Sequence, residues 1–429
     1  MKKTKLRWMK LDNAAKIYPA AKRRNWSNVF RLSATLTETV DPYVLQNVLD
    51  NVVKRFPSIS ARIRRGMFWY YLEELPKAPR IQMEACHPLA PMPFHMIRKC
   101  AFRVLYYENR IAIELFHALT DGNGAMVFLK TLLSEYLKAK YNIAVTPGYG
   151  VLDCEEDPRE EELEDSFLVH AGDVKQSRRD VSAYRLRGMR EPDGYINVIT
   201  GMLDVREILA MAKSYKVSLT VFLSAVLIQS IIEMQEAAVP DIKKRKPVKI
   251  LIPVDLRRIY ASESLRNFVL YVTPGVNPKL GTFTLEEIMQ SIHHQMGVEL
   301  TDKQMKMKIA KNVADELNPV LRFTPLFLKN IAMKLVYNAI GETKSCLTLS
   351  NLGAIKLPDE MIPYIKRMDF ILGTQATRPN NCGVLSYGDK MYINFTRNIK
   401  ESTLERIFFT KLRSMGLHVA VESNSRSKR

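Results

Sequence analysis

His117 is the side chain around which this 429-residue chain places the most suggestive chemistry. It follows Ile111-Ala112-Ile113-Glu114-Leu115-Phe116, which reads as a strand, so its imidazole falls on the same face as Ile111, Ile113 and Leu115. Asp121-Gly122-Asn123-Gly124 comes next, and two glycines in three positions make a permissive turn that backbone and ligand can approach closely. A helix is expected from Gly124 onward, and its N-terminus favours developing negative charge. A neutral histidine there can act as a general base, because its unperturbed pKa lies near working pH. The same residues leave two other roles open. One is a structural histidine bonded to neighbouring backbone. The other is a zinc ligand, although zinc wants about three protein ligands and the His-Glu-x-x-His pattern is absent.

The elements that must position His117 are legible on both sides of it. Phe30, Leu32, Ala34 and Leu36 alternate with Arg31, Ser33, Thr35 and Thr37, which is strand periodicity. Asp41-Pro42 opens a helix whose apolar stripe is Val44, Leu45, Val48, Leu49 and Val52, and Phe56-Pro57 closes it. Aromatic-rich strands follow at 68–72 and 102–107, and Glu108-Asn109-Arg110 turns the chain into the strand before His117. Beyond the motif, Met126, Val127, Leu129, Leu132, Leu133 and Leu137 mark the expected helix. The acidic run 154–165, with Pro158, reads as a solvated linker and places a boundary between halves 1–165 and 166–429.

The second half repeats the alternation. A strand at 196–203 runs into Asp204, a cap for a helix over 205–215. Ser218 caps a second helix over 219–234, apolar nearly all round and therefore buried. An internal strand at 249–254 follows, then a hairpin whose arms at 384–386 and 391–395 flank Tyr387-Gly388-Asp389-Lys390. Leu404, Ile407, Phe408 and Leu412 share one face of a closing helix. The expected class is mixed α/β in two halves.

Composition narrows the partners. Hydrophobic residues are 47% and charged residues 25%, ordinary for a globular chain. The basic start Met1-Lys2-Lys3 lacks a following apolar run, and 219–232 is short for a membrane span, so no targeting or integral membrane segment is read and the cytoplasm is the expected compartment. Cys86, Cys100, Cys154, Cys346 and Cys382 are odd in number and scattered, which suits a reducing compartment and argues against disulfides and structural zinc. The net charge of +19 raises nucleic acid as a partner, but the 64 basic residues are spread out. Short clusters occur at Lys22-Arg23-Arg24 and Lys243-Lys244-Arg245-Lys246, with no nucleic-acid-binding signature beside them. A phosphate-bearing substrate, an acidic carrier protein or a merely solvated basic surface fits this balance, and no nucleic acid is expected.

His117-Ala118-Leu119-Thr120-Asp121-Gly122 resembles the His-x-x-x-Asp-Gly motif of the condensation-domain and alcohol acetyltransferase superfamily. That superfamily includes plant BAHD acyltransferases, chloramphenicol acetyltransferase and polyketide-associated acyltransferases. Other segments are similar over nearly the whole chain. Residues 8–19 resemble the N-terminal segment of bacterial alcohol acetyltransferase-like proteins. Pro57-Ser58-Ile59-Ser60-Ala61-Arg62 resembles a His-Pro-x-Leu-Arg segment, with Phe56 in the histidine's place. Pro253-Val254-Asp255-Leu256-Arg257 with Asn267-Phe268 resembles the stretch holding a structural arginine, and Ser350-Asn351-Leu352-Gly353 resembles a turn near the active-site channel. Position 116 is Phe where condensation domains usually carry a second histidine, and the plant Asp-Phe-Gly-Trp-Gly segment is missing.

The resemblance implies two chloramphenicol acetyltransferase-like α/β halves with mixed sheets and a channel between them. It implies an acyltransferase with His117 as general base, oxyanion donors near Gly122, Asp121 paired with Arg257, and Ser350 and Asn351 at the channel. The donor would be acyl-CoA or an acyl-carrier thioester, with no metal and no bound cofactor. The acceptor would be a small-molecule alcohol or amine, and an acidic acyl carrier protein is the alternative partner. A carrier-dependent condensation module and a non-catalytic acyl-binding relative are the rival readings.

Overall fold

Strand β2 (Val29–Leu36) lies at the centre of the half that carries His117, and nearly all of its residues are buried, polar ones included. Its alternation does not separate core from solvent. Arg31, 2% exposed, instead meets Glu84 at 2.7 Å and Glu114 at 3.1 Å, so the polar face is closed by ion pairs. The computed structural model describes residues 6–21, 28–84, 87–170, 182–336, 343–375 and 377–424. The cluster Lys22-Arg23-Arg24 and Cys86 lie outside them.

Three sheets organise the described chain. β1 (Trp8–Lys10), β3 (Ala61–Arg65) and β4 (Tyr70–Glu74) form a small antiparallel one in the order β1-β4-β3. The second combines β2 with β5 (Gln82–Met83), β6 (Phe102–Tyr107), β7 (Arg110–Phe116) and β13 (Ile365–Leu372), in the order β13-β2-β7-β6-β5. The third contains β8 (Asn197–Asp204), β9 (Val248–Asp255), β10 (Val269–Val272), β11 (Gly275–Val276), β12 (Leu347–Ile355), β14 (Asn380–Tyr387), β15 (Lys390–Arg397) and β16 (Ala420–Ser423). Its path runs β10-β9-β12-β14-β15-β8-β16, with β11 beside β9. β12 runs parallel to both β14 and β9 while the other pairs of this sheet are antiparallel, so the sheet is mixed.

The helices form where the capping chemistry places them. Asp41 Oδ1 accepts the N–H groups of Tyr43 at 2.8 Å and Val44 at 3.2 Å, starting Pro42–Arg55. Asp204 caps Val205–Ser214 in the same way, and Ser218 Oγ accepts from Val221 N at 3.3 Å to start Leu219–Ala238. That last helix is long and apolar enough to cross a membrane, but 67% of its apolar window is buried inside the protein. It is a core helix.

The acidic run near residue 160 is exposed at Glu155, Glu156, Asp157, Glu160 and Glu161, as expected, but not at Glu162. Glu162 is 2% exposed and takes both terminal guanidinium nitrogens of buried Arg55, one of them at 2.8 Å. A charge read as linker composition thus anchors the run to the helix Pro42–Arg55.

Two cores result. One lies between the second sheet and the helices Pro42–Arg55 and Gly122–Tyr141. The other lies between the third sheet and the helices Val205–Ser214, Leu219–Ala238, Leu285–Glu299 and Thr403–Ser414. Met361, Ile365, Met368 and Phe370 belong to the first core although they come late in the chain. β13 carries the last three back to the edge of β2, pairing Phe370 with Leu32. β13 also packs on β14, so closely that a Cβ on Gly383 would collide with the Phe370 carbonyl oxygen. That contact joins the second sheet to the third.

Candidate active site

His117 directly follows β7, and its N–H donates to the Asn28 carbonyl at 2.8 Å, which fixes where the ring begins. The half-buried imidazole stacks on Tyr18 with ring centroids 4.7 Å apart and tilts against Phe30 at 5.0 Å. Burial drives its pKa below the ordinary histidine value, against the opposing pull of its own carbonyl, Asp121, Asn267 and Asp12. Near neutral pH the ring is therefore uncharged.

Asn267 decides which nitrogen carries the hydrogen. Its Oδ1 lies 3.1 Å from His117 Nδ1, while its Nδ2 donates to Asp12 Oδ2 at 3.1 Å and its main-chain N–H to the same oxygen at 3.3 Å. Fully buried Asp12 also accepts from Ala15 N at 2.7 Å. Burial raises the Asp12 pKa, opposed by Arg266 at 3.8 Å and by these donors. Because the Asn267 NH2 is committed to a carboxylate, the amide presents only its oxygen to the ring. His117 must hold its hydrogen on Nδ1, leaving the Nε2 lone pair for chemistry. The sequence offers residues 12 and 267 only inside segments of resemblance, and it assigns neither side chain a role.

Asp121 joins three parts of the site. Its Oδ1 accepts from Asn123 N and Gly124 N at 3.1 Å each, so the helix starts at Gly122 and Asp121 is its cap. Its Oδ2 accepts from Arg257 Nη1 at 2.8 Å and from Phe268 N at 2.9 Å. Arg257 also meets Asp255 at 3.1 Å and donates to the Ser264 and Arg266 carbonyls. Burial opposes the Arg257 charge, but Asp121 and Asp255 outweigh it and leave the pKa raised. The two residues expected to pair from positions 136 apart do so.

The glycines serve a different purpose from the turn expected of them, since both lie inside the helix. A Cβ on Gly124 would collide with the Leu265 carbonyl oxygen and with Thr120 Oγ1, which itself donates to that carbonyl at 2.6 Å. Gly124→Ala should therefore lower stability by ~1–3 kcal/mol through overpacking, read as a fall in the urea midpoint. An unchanged midpoint would mean the segment 265–268 does not press on the motif.

Gly122 faces the other half: a Cβ there would approach Leu352 at 2.8 Å and Phe370 at 3.7 Å. Leu352 lies within β12, so the turn expected at 350–353 is instead a stretch of strand whose register shifts between Asn351 and Ala354, with Asn351 accepting from Gly353 N at 2.8 Å and donating to Thr220 Oγ1 at 3.3 Å. Gly353 has φ +80°, a conformation that favours glycine. Half-buried Ser350 lies on β12 opposite Gly383. His117, Asp121, Gly122, Arg257 and the part of β12 bearing Ser350 and Asn351 thus converge.

Lys243 to Lys246 do not join them. They follow the far end of Leu219–Ala238, a helix about 30 Å long whose first turn carries Thr220. Arg245 is paired with Glu236 at 2.7 Å. Among the described residues no three His, Cys, Asp or Glu side chains gather as a metal site. Burial pushes the Cys100, Cys154 and Cys346 thiols up to about 12, away from nucleophilic use.

No protein-family model and no curated protein matches the sequence. Solved structures do match over nearly the whole chain. The trichothecene 15-O-acetyltransferase of Fusarium sporotrichioides is 11% identical, with 95% of this chain and 94% of that one covered and a TM-score of 0.61. TRI101 of F. sporotrichioides, solved with coenzyme A and T-2, is 11% identical with 97% and 99% covered and a TM-score of 0.62. The first condensation domain of the CDA synthetase is 12% identical with 94% and 95% covered and a TM-score of 0.56. This chain has the condensation-domain and acetyltransferase fold. Within that shared two-subdomain architecture, the His117 motif lies where β7 and the helix Gly122–Tyr141 of one half meet β12 and β13.

Proposed function

We propose that this protein is an acyltransferase that moves an acyl group from a thioester, with a coenzyme A thioester as donor, to a hydroxyl or amine of a small molecule. The observation that carries this reading is a half-buried, neutral His117 whose Nδ1 is held by Asn267 and Asp12, leaving Nε2 as an oriented base. The fold adds support, since it is shared with an acetyltransferase and with a protein solved with coenzyme A.

In the reaction His117 Nε2 takes the acceptor's proton as its oxygen or nitrogen bonds to the thioester carbonyl carbon. The carbonyl becomes a tetrahedral oxyanion at the N-terminus of Gly122–Tyr141, where the helix dipole opposes its charge. Asn123 N–H and Gly124 N–H are occupied by the Asp121 cap, so Gly122 N–H is the first-turn donor that the cap leaves for that oxygen. As the oxyanion collapses the carbon–sulfur bond breaks, and the proton on Nε2 passes to the departing sulfur, giving free thiol and acylated product. Asp121 and Arg257 hold the motif against residues 264–268 and do not touch the acyl group. The halves 1–165 and 166–429 form the walls of the channel, with Ser350 and Asn351 on the second. We place the protein in the cytoplasm, where free thiols such as Cys100, Cys154, Cys346 and Cys382 persist.

The test is thiol release from a panel of acyl-CoAs with alcohols and amines, with the product identified by mass. The pH dependence of kcat/KM adds a signature. A base must be neutral to act, and burial places the His117 pKa below its ordinary value of 6.5, so activity should persist below pH 6.5 and fall only as the pH drops through that lowered value. An acid limb centred at or above 6.5 would mean that burial does not lower the His117 pKa. The likeness to a condensation domain supports a second reading, a carrier-bound thioester donor. Turnover with an acyl-carrier protein and none with any acyl-CoA would select it.

A further inference from the structure

We propose that the helical segment 319–336, together with the tip of the β3–β4 hairpin, docks this protein onto the surface of an anionic lipid bilayer. The proposal goes beyond the acyl-transfer reading and does not depend on it. Phe327, Leu328, Ile331 and Leu335 of the helix Leu326–Val336 fall within an arc of about 100° at helical spacing, a full apolar face. Such a face normally points into a core. Here it points outward: with Phe323 of the preceding turn, these five side chains are between 48% and 68% exposed.

The helix is pinned in that orientation by what it buries instead. Lys329, 2% exposed, lies with Nζ 3.3 Å from the centroid of the Trp69 ring and donates to the Phe68 carbonyl at 2.9 Å. Asn330 donates to the Tyr70 hydroxyl at 2.9 Å, and Leu326 N–H to the Met67 carbonyl at 3.0 Å. Rotating the helix to hide its apolar stripe would break these polar contacts. The hairpin extends the exposed apolar surface, because Met67 is 76% exposed and Phe68 packs edge-on against Phe323 at 6.3 Å. Contiguous apolar surface of this kind on a protein marks an interaction site.

Charge selects the partner. Residues 319–336 hold Arg322, Lys329 and Lys334 and no carboxylate, and residues 61–69 hold Arg62, Arg64 and Arg65 and no carboxylate. Arg62 and Arg64 share Glu73, and Lys329 is buried, which leaves Arg322, Lys334 and Arg65 as the exposed cations beside the stripe. The chain around them has a net charge of +19. A bilayer with anionic headgroups accepts both parts: the aromatic and aliphatic side chains enter the acyl boundary and the cations meet the phosphates. Helix-forming residues with lysine and arginine along the rim of an apolar face are the pattern of a helix lying in the interface plane.

The test is co-sedimentation of the full chain with phosphatidylcholine vesicles, with and without phosphatidylglycerol. The protein should sediment with the anionic vesicles, less so at high salt. The double variant Phe327→Glu/Ile331→Glu, substituted only at exposed positions, should bind at least about tenfold more weakly with unchanged far-ultraviolet circular dichroism. Arg322→Ser/Lys334→Ser should reduce binding to anionic vesicles specifically. Equal binding by the first variant, or no binding of the wild type to either vesicle, overturns the proposal. So does self-association in vesicle-free buffer that Phe327→Glu/Ile331→Glu abolishes, which would give the face to a second copy of the chain.

Discussion

His117→Ala should lower acyl transfer by at least about a hundredfold, the usual contribution of a positioned general base, while the protein stays folded. The ring is held by stacking on Tyr18, contact with Phe30 and a side-chain hydrogen bond to Asn267. Its removal should therefore leave secondary structure intact, with only a modest fall in melting temperature. The link through Asn267 sharpens the expectation. Asn267→Leu keeps the histidine but removes the oxygen that holds hydrogen on Nδ1, so it should reduce kcat and alter the acid limb of the pH profile. Near-wild-type transfer by folded His117→Ala would end the assignment, whatever the Asn267 variant does.

The second large effect is on stability. Asp121→Ala leaves Arg257, 15% exposed, with Asp255 as its remaining carboxylate partner, removes the acceptor for Phe268 N–H and uncaps Gly122–Tyr141. Removing one partner of such a buried pair costs ~3–5 kcal/mol, and the lost cap adds about 1. Arg257→Ala leaves the 2% exposed Asp121 carboxylate without its guanidinium and should cost a similar amount, although Asp121 keeps its main-chain donors. The double variant should cost less than the two singles added, because neither charge is then left behind. Urea denaturation of the wild type and the three variants measures this directly. Additivity within about 0.5 kcal/mol would mean the pair does not act as a unit.

The sequence is most legible where local chemistry determines local structure. Asp41, Asp204 and Ser218 read as helix caps and act as caps, since a cap needs only a side-chain oxygen within three residues of the N–H it accepts. The Asp121–Arg257 pair is reachable through resemblance, and the fold of two halves likewise. What stays hidden depends on chain brought from a distance. β13 returns from residues 365–372 to pair with residues 30–36 of β2, and nothing local in either segment announces the other.

The Asp12–Asn267–His117 chain is hidden for the same reason. Asp12 and Asn267 lie 255 residues apart, and neither side chain has a local pattern that predicts a hydrogen bond to the other. Gly124 is legible as a glycine but not by its purpose, because the Leu265 carbonyl that excludes a Cβ arrives from the other half. Within the otherwise exposed acidic run, Glu162 misleads in the opposite direction. Composition alone favours solvation for Glu162, whereas its partner Arg55 lies 107 residues earlier on the helix Pro42–Arg55.

A time course of thiol release with and without acceptor tests most directly whether His117 passes a proton while the acyl group moves straight from thioester to acceptor. With acceptor present, release should continue through many turnovers. Without acceptor, no rapid release equal to the protein concentration should occur, because a general base forms no covalent acyl intermediate. A stoichiometric burst without acceptor, matched by one acyl group of added mass on the protein, would contradict the account.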